Sequence, residues 1–147
     1  MAEKKSIKFE VVTPERVVSK QQVLQVTIPT ESGEITVLPE HIPLVSILKP
    51  GVLELKTVDK KIEIIAVSGG FVDVLRDKIV ILADTAERAE DLDESLIIAA
   101  KERAEKAKLD FENKEDYDFS AVAARLDIEA ARERALHKWR KLKAPKN

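Results

Sequence analysis

Up to about Glu87 the chain alternates short apolar runs with polar breaks, and within the runs the period is two. Leu24, Val26 and Ile28 fall on one side of an extended segment while Gln25 and Thr27 fall on the other, as a half-buried strand requires. Read this way, residues 7–12, 16–19, 23–28, 35–38, 44–48, 52–57, 61–67, 71–75 and 78–83 predict nine or ten short strands. No helical stretch interrupts them. Strands packed so densely predict an antiparallel sandwich or flattened barrel.

Beyond Glu87 the pattern changes. All four glycines and five of the six prolines lie before it, and alanine dominates after it. Asp91 or Asp93 can cap a first helix, with Glu94 adding charge to its first turn. Its stripe is Leu96, Ala100, Ala107 and Phe111, with Ala104 beside it. An acid-rich break follows around residues 112–119. Asp118 or Ser120 then starts a second helix, with the stripe Ala124, Ile128, Ala131, Ala135, Trp139 and Leu142. A short connection between two helices predicts an antiparallel hairpin. The expected class is therefore α+β: a β-domain over residues 1–87 and a helical hairpin over 88–147. The facing stripes are poor in large residues, so the hairpin is expected to pack closely but weakly. The residues alone leave open a static hairpin or one that exchanges its packing for another surface.

Composition narrows the function classes. The 147 residues are 44% hydrophobic and 35% charged, typical of a globular protein with a solvated helical part. With no cysteine there is no disulfide framework, thiolate chemistry or common zinc site. A net charge of −2 argues against nucleic acid as a main partner. No apolar run approaches the roughly 20 residues that span a bilayer, and the N-terminus lacks a signal-peptide core, so membrane association is expected only through a partner.

Catalytic chemistry is equally sparse. His41 and His137 lie in different halves without metal-ligand spacing, no Walker-type loop occurs, and Ser68-Gly69-Gly70 lacks the frame of a nucleophile elbow. Gly69 and Gly70 suit a sharp turn with positive φ. The chain reads as a non-enzyme. Its most distinctive stretch is residues 33–51, GEITVLPEHIPLVSILKPG. Proline cannot donate to a sheet ladder, so Pro39, Pro43 and Pro50 mark strand ends and a rigid loop. That loop, residues 39–43, holds an imidazole (His41) and a carboxylate at a sheet rim. The C-terminal helix ends in a basic cluster, Arg132, Arg134, Lys138, Arg140, Lys141, Lys143 and Lys146, against the single acid Glu133.

Residues 33–44 resemble the G-E-x-x-x-x-P-x-H-x-P-L segment of the epsilon subunits of F-type ATP synthases. Ser68-Gly69-Gly70-Phe71-Val72-Asp73-Val74 is similar to their S-G-G-F-x-x-V element, and residues 80–86 to the strand that closes their sandwich. The resemblance covers nearly the whole chain. It implies a central-stalk rotor subunit of a proton-driven rotary ATP synthase, peripheral on the cytoplasmic face of a bacterial plasma membrane. Implied partners are the gamma subunit, the c-subunit ring and the beta subunits of the catalytic head. It places Glu34, His41 and, through a looser local match, Thr13 against the c ring. It places Arg132, Arg134, Lys138, Arg140 and Lys141 against an acidic loop of the beta subunits, where the tail blocks ATP hydrolysis. Many relatives bind regulatory ATP through I/L-D-x-x-R-A. Here Leu92 and Asp93 are present, but Leu96 replaces the arginine and Ile97 the alanine. Leucine cannot make arginine's charge-assisted bonds to phosphate, so Asp93 is expected to be a helix cap, with weak or no ATP binding and no other cofactor or metal. A rival reading is a free-standing ligand-binding sandwich with a regulatory helical tail.

Overall fold

A computed structural model describes residues 5–111 and 119–144 of the chain. Among them are nine strands, β1 (Ile7–Val12), β2 (Val17–Thr30), β3 (Gly33–Val37), β4 (Leu44–Leu48), β5 (Gly51–Thr57), β6 (Ile62–Val67), β7 (Gly70–Val74), β8 (Lys78–Ala83) and β9 (Ala86–Arg88). A 3-10 turn, Ala89–Asp91, leads to helices α1 (Glu94–Phe111) and α2 (Phe119–Lys143). The α+β class expected from the residue pattern is what the structure has. The acid-rich break at 112–118 and Lys146 lie outside the described residues.

The two strands expected at 16–19 and 23–28 are one long strand. Lys20, Gln21 and Gln22, which read as a break, pair with Glu10, Phe9 and Lys8 of β1. Farther along, β2 leaves β1 and pairs with β3 on one side and β5 on the other. The register with β5 slips between Val23 and Gln25, so Leu24 is an extra residue and resets the alternation. This corrects the inward set. Val23, Val26 and Ile28 are fully buried, whereas Leu24 is only half-buried.

Strands β1, β8, β7, β4 and β2 form a closed circuit, because β2 pairs with β1 through its first half and with β4 at Thr30. Around a ring of five, the pairings cannot all be antiparallel. The exception is β1 with β8, the parallel pair. Strands β5, β6 and β9 extend the sheet beyond β2. Inward side chains from both halves, among them Phe9, Val26, Ile28, Leu53, Leu55, Ile65, Val72, Ile79 and Ile81, make one sealed core.

The motif glycines sit where the backbone needs them. Gly69 and Gly70 have φ of 127° and 128°, as the turn reading expected. A Cβ on Gly70 would stand 2.0 Å from the carbonyl oxygen of Leu82 on the neighbouring strand, so a second constraint holds there.

Helix α2, not α1, lies on the sheet, against β5 and β6. The junction is a small cluster of Val52, Ile64, Ala66, Ala89 and Ala135, with Ile62, Leu92 and Trp139 at its margin. The helical stripes expected from spacing are partly corrected. On α1 the inward apolar residue is Ile97, and Leu96 is 67% exposed. On α2, Ala131 and Ala135 are buried as expected, but Ala124 and Leu142 are exposed and Val122, Glu129 and Leu136 take inward positions. The reason on α2 is that it meets two surfaces, α1 on one side and the sheet with the 3-10 turn on another, so one stripe does not describe it.

Candidate functional site

The loop entering β4 is built as its prolines suggest. The His41 amide donates to the Leu38 carbonyl at 3.2 Å, closing a turn through Pro39 and Glu40. Glu40 adopts φ of 66°. Its carboxylate accepts from Lys5 Nζ at 2.9 Å, and this partner holds its pKa below the usual glutamate range. His41 Nδ1 lies 2.7 Å from the Ile42 carbonyl, which fixes the half-buried ring. Thr13 closes the β1–β2 hairpin, its amide donating to the Arg16 carbonyl at 2.9 Å while the Arg16 amide reaches its hydroxyl at 3.3 Å. Glu34 is exposed on β3, opposite Pro29.

The register separates these three residues. Val12, Leu82, Phe71 and Ile47 are successive partners across β1, β8, β7 and β4, so Thr13 belongs to the end of the sandwich where β4 finishes. Gly33 pairs with Thr30, which also meets Leu48, so Glu34 belongs to that same end. His41 precedes Leu44, at the end where β4 begins and where Lys5 approaches. Strand β3 stands extended between Glu34 and the His41 loop. Glu34 and Thr13 thus share one end, and His41 occupies the other.

The residue pattern did not single out the outer face of this circuit. Ile47, Phe71 and Leu82 are 47%, 56% and 53% exposed and stand in direct cross-strand register. Val45 and Val17 extend the row. A row of large apolar side chains across adjacent strands is a contiguous patch, not ordinary surface scatter. The available signal was that β4 is apolar at both odd and even positions, unlike a strand with one wet face.

The basic cluster of α2 is largely engaged within the chain. Arg132 donates through Nη1 to Glu129 at 2.7 Å and through Nη2 to Glu87 at 2.5 Å. Arg140 pairs with Glu94 at 2.8 Å, and Lys138 lies 3.7 Å from Glu54 of β5. Lys101 of α1 holds Glu133 at 3.0 Å. Lys143 stands 5.4 Å from the Trp139 ring centre. Arg134 and Lys141 have no ion-pair partner among the described residues.

At the start of α1, Asp93 is the cap. Its carboxylate accepts from the Ser95 hydroxyl at 2.7 Å and the Ser95 amide at 2.9 Å, and these bonds lower its pKa. Arg140 lowers that of Glu94 in the same way. The adjoining cavity is lined by Glu87, Asp91, Asp93 and Glu129, with Leu96 on its wall and Arg132 as its one lining cation. Both arms of that arginine are already bonded to carboxylates, so the cavity presents acid rather than a phosphate cradle. Among the described residues no cluster of three or more acids, histidines or cysteines is arranged to hold a metal ion.

A closed β-sandwich carrying an α-hairpin on one flank, with an apolar outer face and two polar ends, defines an interaction module. Residues 6–89 match the family described as ATP synthase, Delta/Epsilon chain, beta-sandwich domain, and the chain belongs to that family. It is 42% identical over 120 residues to an ATP synthase epsilon chain of Herpetosiphon aurantiacus, covering 81% of this chain and 87% of that one. It is 49% identical over 102 residues to the Anoxybacillus flavithermus ATP synthase epsilon chain, covering 69% and 75%. A chain in the cryo-EM structure of the Euglena gracilis mitochondrial ATP synthase superposes with a TM-score of 0.77 at 26% identity, over 90% of this chain and 82% of that one. A chain from the Tetrahymena thermophila enzyme shares the fold, with a TM-score of 0.56 at 15% identity, over 92% and 99%.

Proposed function

We propose that this chain is a non-catalytic rotor subunit of a proton-driven ATP synthase, joining the gamma subunit to the c ring. Its division of labour falls near residue 87, with a coupling sandwich before it and a regulatory tail after it. The observation that carries the reading is the exposed row of Ile47, Phe71 and Leu82 on a family sandwich whose own core is already sealed. We assign this face to gamma, since a torque-bearing joint needs a desolvated apolar centre. The polar ends then serve the ring. Glu34 and Thr13 fit one ring-facing end; His41, at the other, is the alternative contact. Crosslinks from cysteines placed at 34 and at 41 to c-subunit loops in the assembled enzyme decide between the ends. Absence of both removes the ring assignment.

The tail acts as a brake on ATP hydrolysis. In support, the cations assigned to the beta subunits, Arg132, Arg134, Lys138, Arg140 and Lys141, lie along a helix held by a small alanine-lined junction. Positive helix against acidic loop steers and orients such docking. Regulatory ATP has no evident cradle here, because Leu96 and a committed Arg132 line the cavity beside Asp93. The subunit would sit peripherally at the cytoplasmic face of a bacterial membrane, and no helix among the described residues is long and apolar enough to cross one. Truncation after Asp91, which keeps β9 and the 3-10 turn, should raise hydrolysis by the reconstituted complex while leaving assembly intact. Unchanged hydrolysis removes the brake. A stable free monomer with a small-molecule ligand of its own would favour the ligand-binding alternative.

A further inference from the structure

Glu129 is the one carboxylate of the described residues sealed in the interior, at 1% exposure, on the side of α2 that also buries Val122 and Leu136. Its Oε1 accepts from Arg132, while its Oε2 is buried without a hydrogen-bond partner. The same guanidinium reaches across to Glu87 on β9. One arginine therefore neutralises a buried acid on its own helix and ties that helix to the sheet edge.

We propose that Glu129, Arg132 and Glu87 form a self-contained latch that seats the hairpin on the sandwich without any bound ligand. The inference deepens the brake reading above and rests on it for its regulatory meaning. Three features make the triad a latch more than a general anchor. It is specific in register, because Arg132 can bridge both acids only when α2 is seated with Ala135 against the sheet and 3-10 turn. It is weak in net energy, since burying paired charges costs nearly what their attraction returns, and the bare Oε2 adds a further cost. It is also exclusive. While both arms of Arg132 are occupied, that arginine is withheld from any acidic partner, and release frees the cation and the buried acid together.

The sign of the mutational pattern is distinctive. Removing Arg132 alone strands a buried carboxylate, which is far worse than replacing both members by apolar residues. In the isolated full-length chain, Arg132→Met should raise amide exchange across α2 on the order of a hundredfold. It should also expose Trp139, the chain's one tryptophan, to acrylamide, while β7 and β8 keep their protection. The double variant Glu129→Leu/Arg132→Met should recover to within about tenfold of the parent. Glu87→Gln touches only the half-exposed end and should loosen α2 by severalfold without threatening the fold. A parent-like Arg132→Met, or a double variant no better than the single one, overturns the latch; so does Glu87→Gln with no effect on α2. Hydrolysis by the assembled complex is read separately. If Arg132→Met undocks the tail in the free chain yet hydrolysis is unaltered, the latch stands and the brake reading falls.

Discussion

Single positions in this molecule show which constraint decides. At Gly70 two coincide, a φ of 128° and a carbonyl oxygen 2.0 Å from where a Cβ would stand, whereas at Gly33 only φ is unusual and no atom lies within 4 Å. Gly70→Ala should therefore cost about 2–4 kcal/mol and Gly33→Ala about 1 kcal/mol, as thermal unfolding of the two variants would show; equal losses would mean that φ alone matters. Asp93 is a different case. Hydrogen bonds from Ser95 hold its pKa below the ordinary 3.8, so its cap is complete above that value and is lost as pH falls through the depressed one. An NMR titration should find the Asp93 carboxyl below 3.8, and Asp93→Ala should fray the first turn of α1, read as faster amide exchange there. A titration midpoint at or above the ordinary value would show that the cap does not form in solution.

At the scale of elements, period-two alternation made most of the sandwich legible, and the prolines and glycines punctuated it correctly. What spacing could not show was phase. Leu24 reads as inward until the bulge against β5 resets the count, and Lys20-Gln21-Gln22 reads as a break because polar residues on β2 still serve the ladder to β1. On the helices, a shift of one residue exchanges Leu96 for Ile97, since alanine-rich faces mark no sharp boundary. Glu129 was invisible for a simpler reason: a glutamate in a charged helix reads as solvated until its neighbours are known. The outer row of Ile47, Phe71 and Leu82 likewise emerges only from cross-strand register. Alanine at the junction carries its own prediction. Ala135 is fully buried where α2 meets the sheet. Ala135→Leu should overpack that junction by about 1–3 kcal/mol and lift α2, read as faster exchange in α2 with β7 and β8 unchanged. Retained α2 protection would show that the junction has room to spare.

The whole molecule has two apolar clusters of unequal strength. The sandwich core draws large side chains from eight of the nine strands, β1 to β8, with Ala86 of β9 at its margin, whereas the hairpin junction is five small or mid-sized residues with three more at its edge. Burial scales with apolar area, so the two should not share one free energy of unfolding. The ion pairs that assist the junction do not close the gap. Lys138–Glu54, which ties α2 to β5, is nearly half exposed at both ends, where such pairs contribute little and weaken with salt. Undocking of the hairpin is therefore expected to precede loss of the sandwich. On heating, Trp139 emission should shift at a lower temperature than the far-ultraviolet β signal, and added salt should widen the interval. Phe71→Asp should leave both transitions in place, because Phe71 faces outward, yet abolish co-purification with gamma. Coincident transitions at every salt concentration would make sandwich and hairpin one cooperative unit, and a tail that cannot leave without unfolding the coupling domain could not serve as a reversible brake.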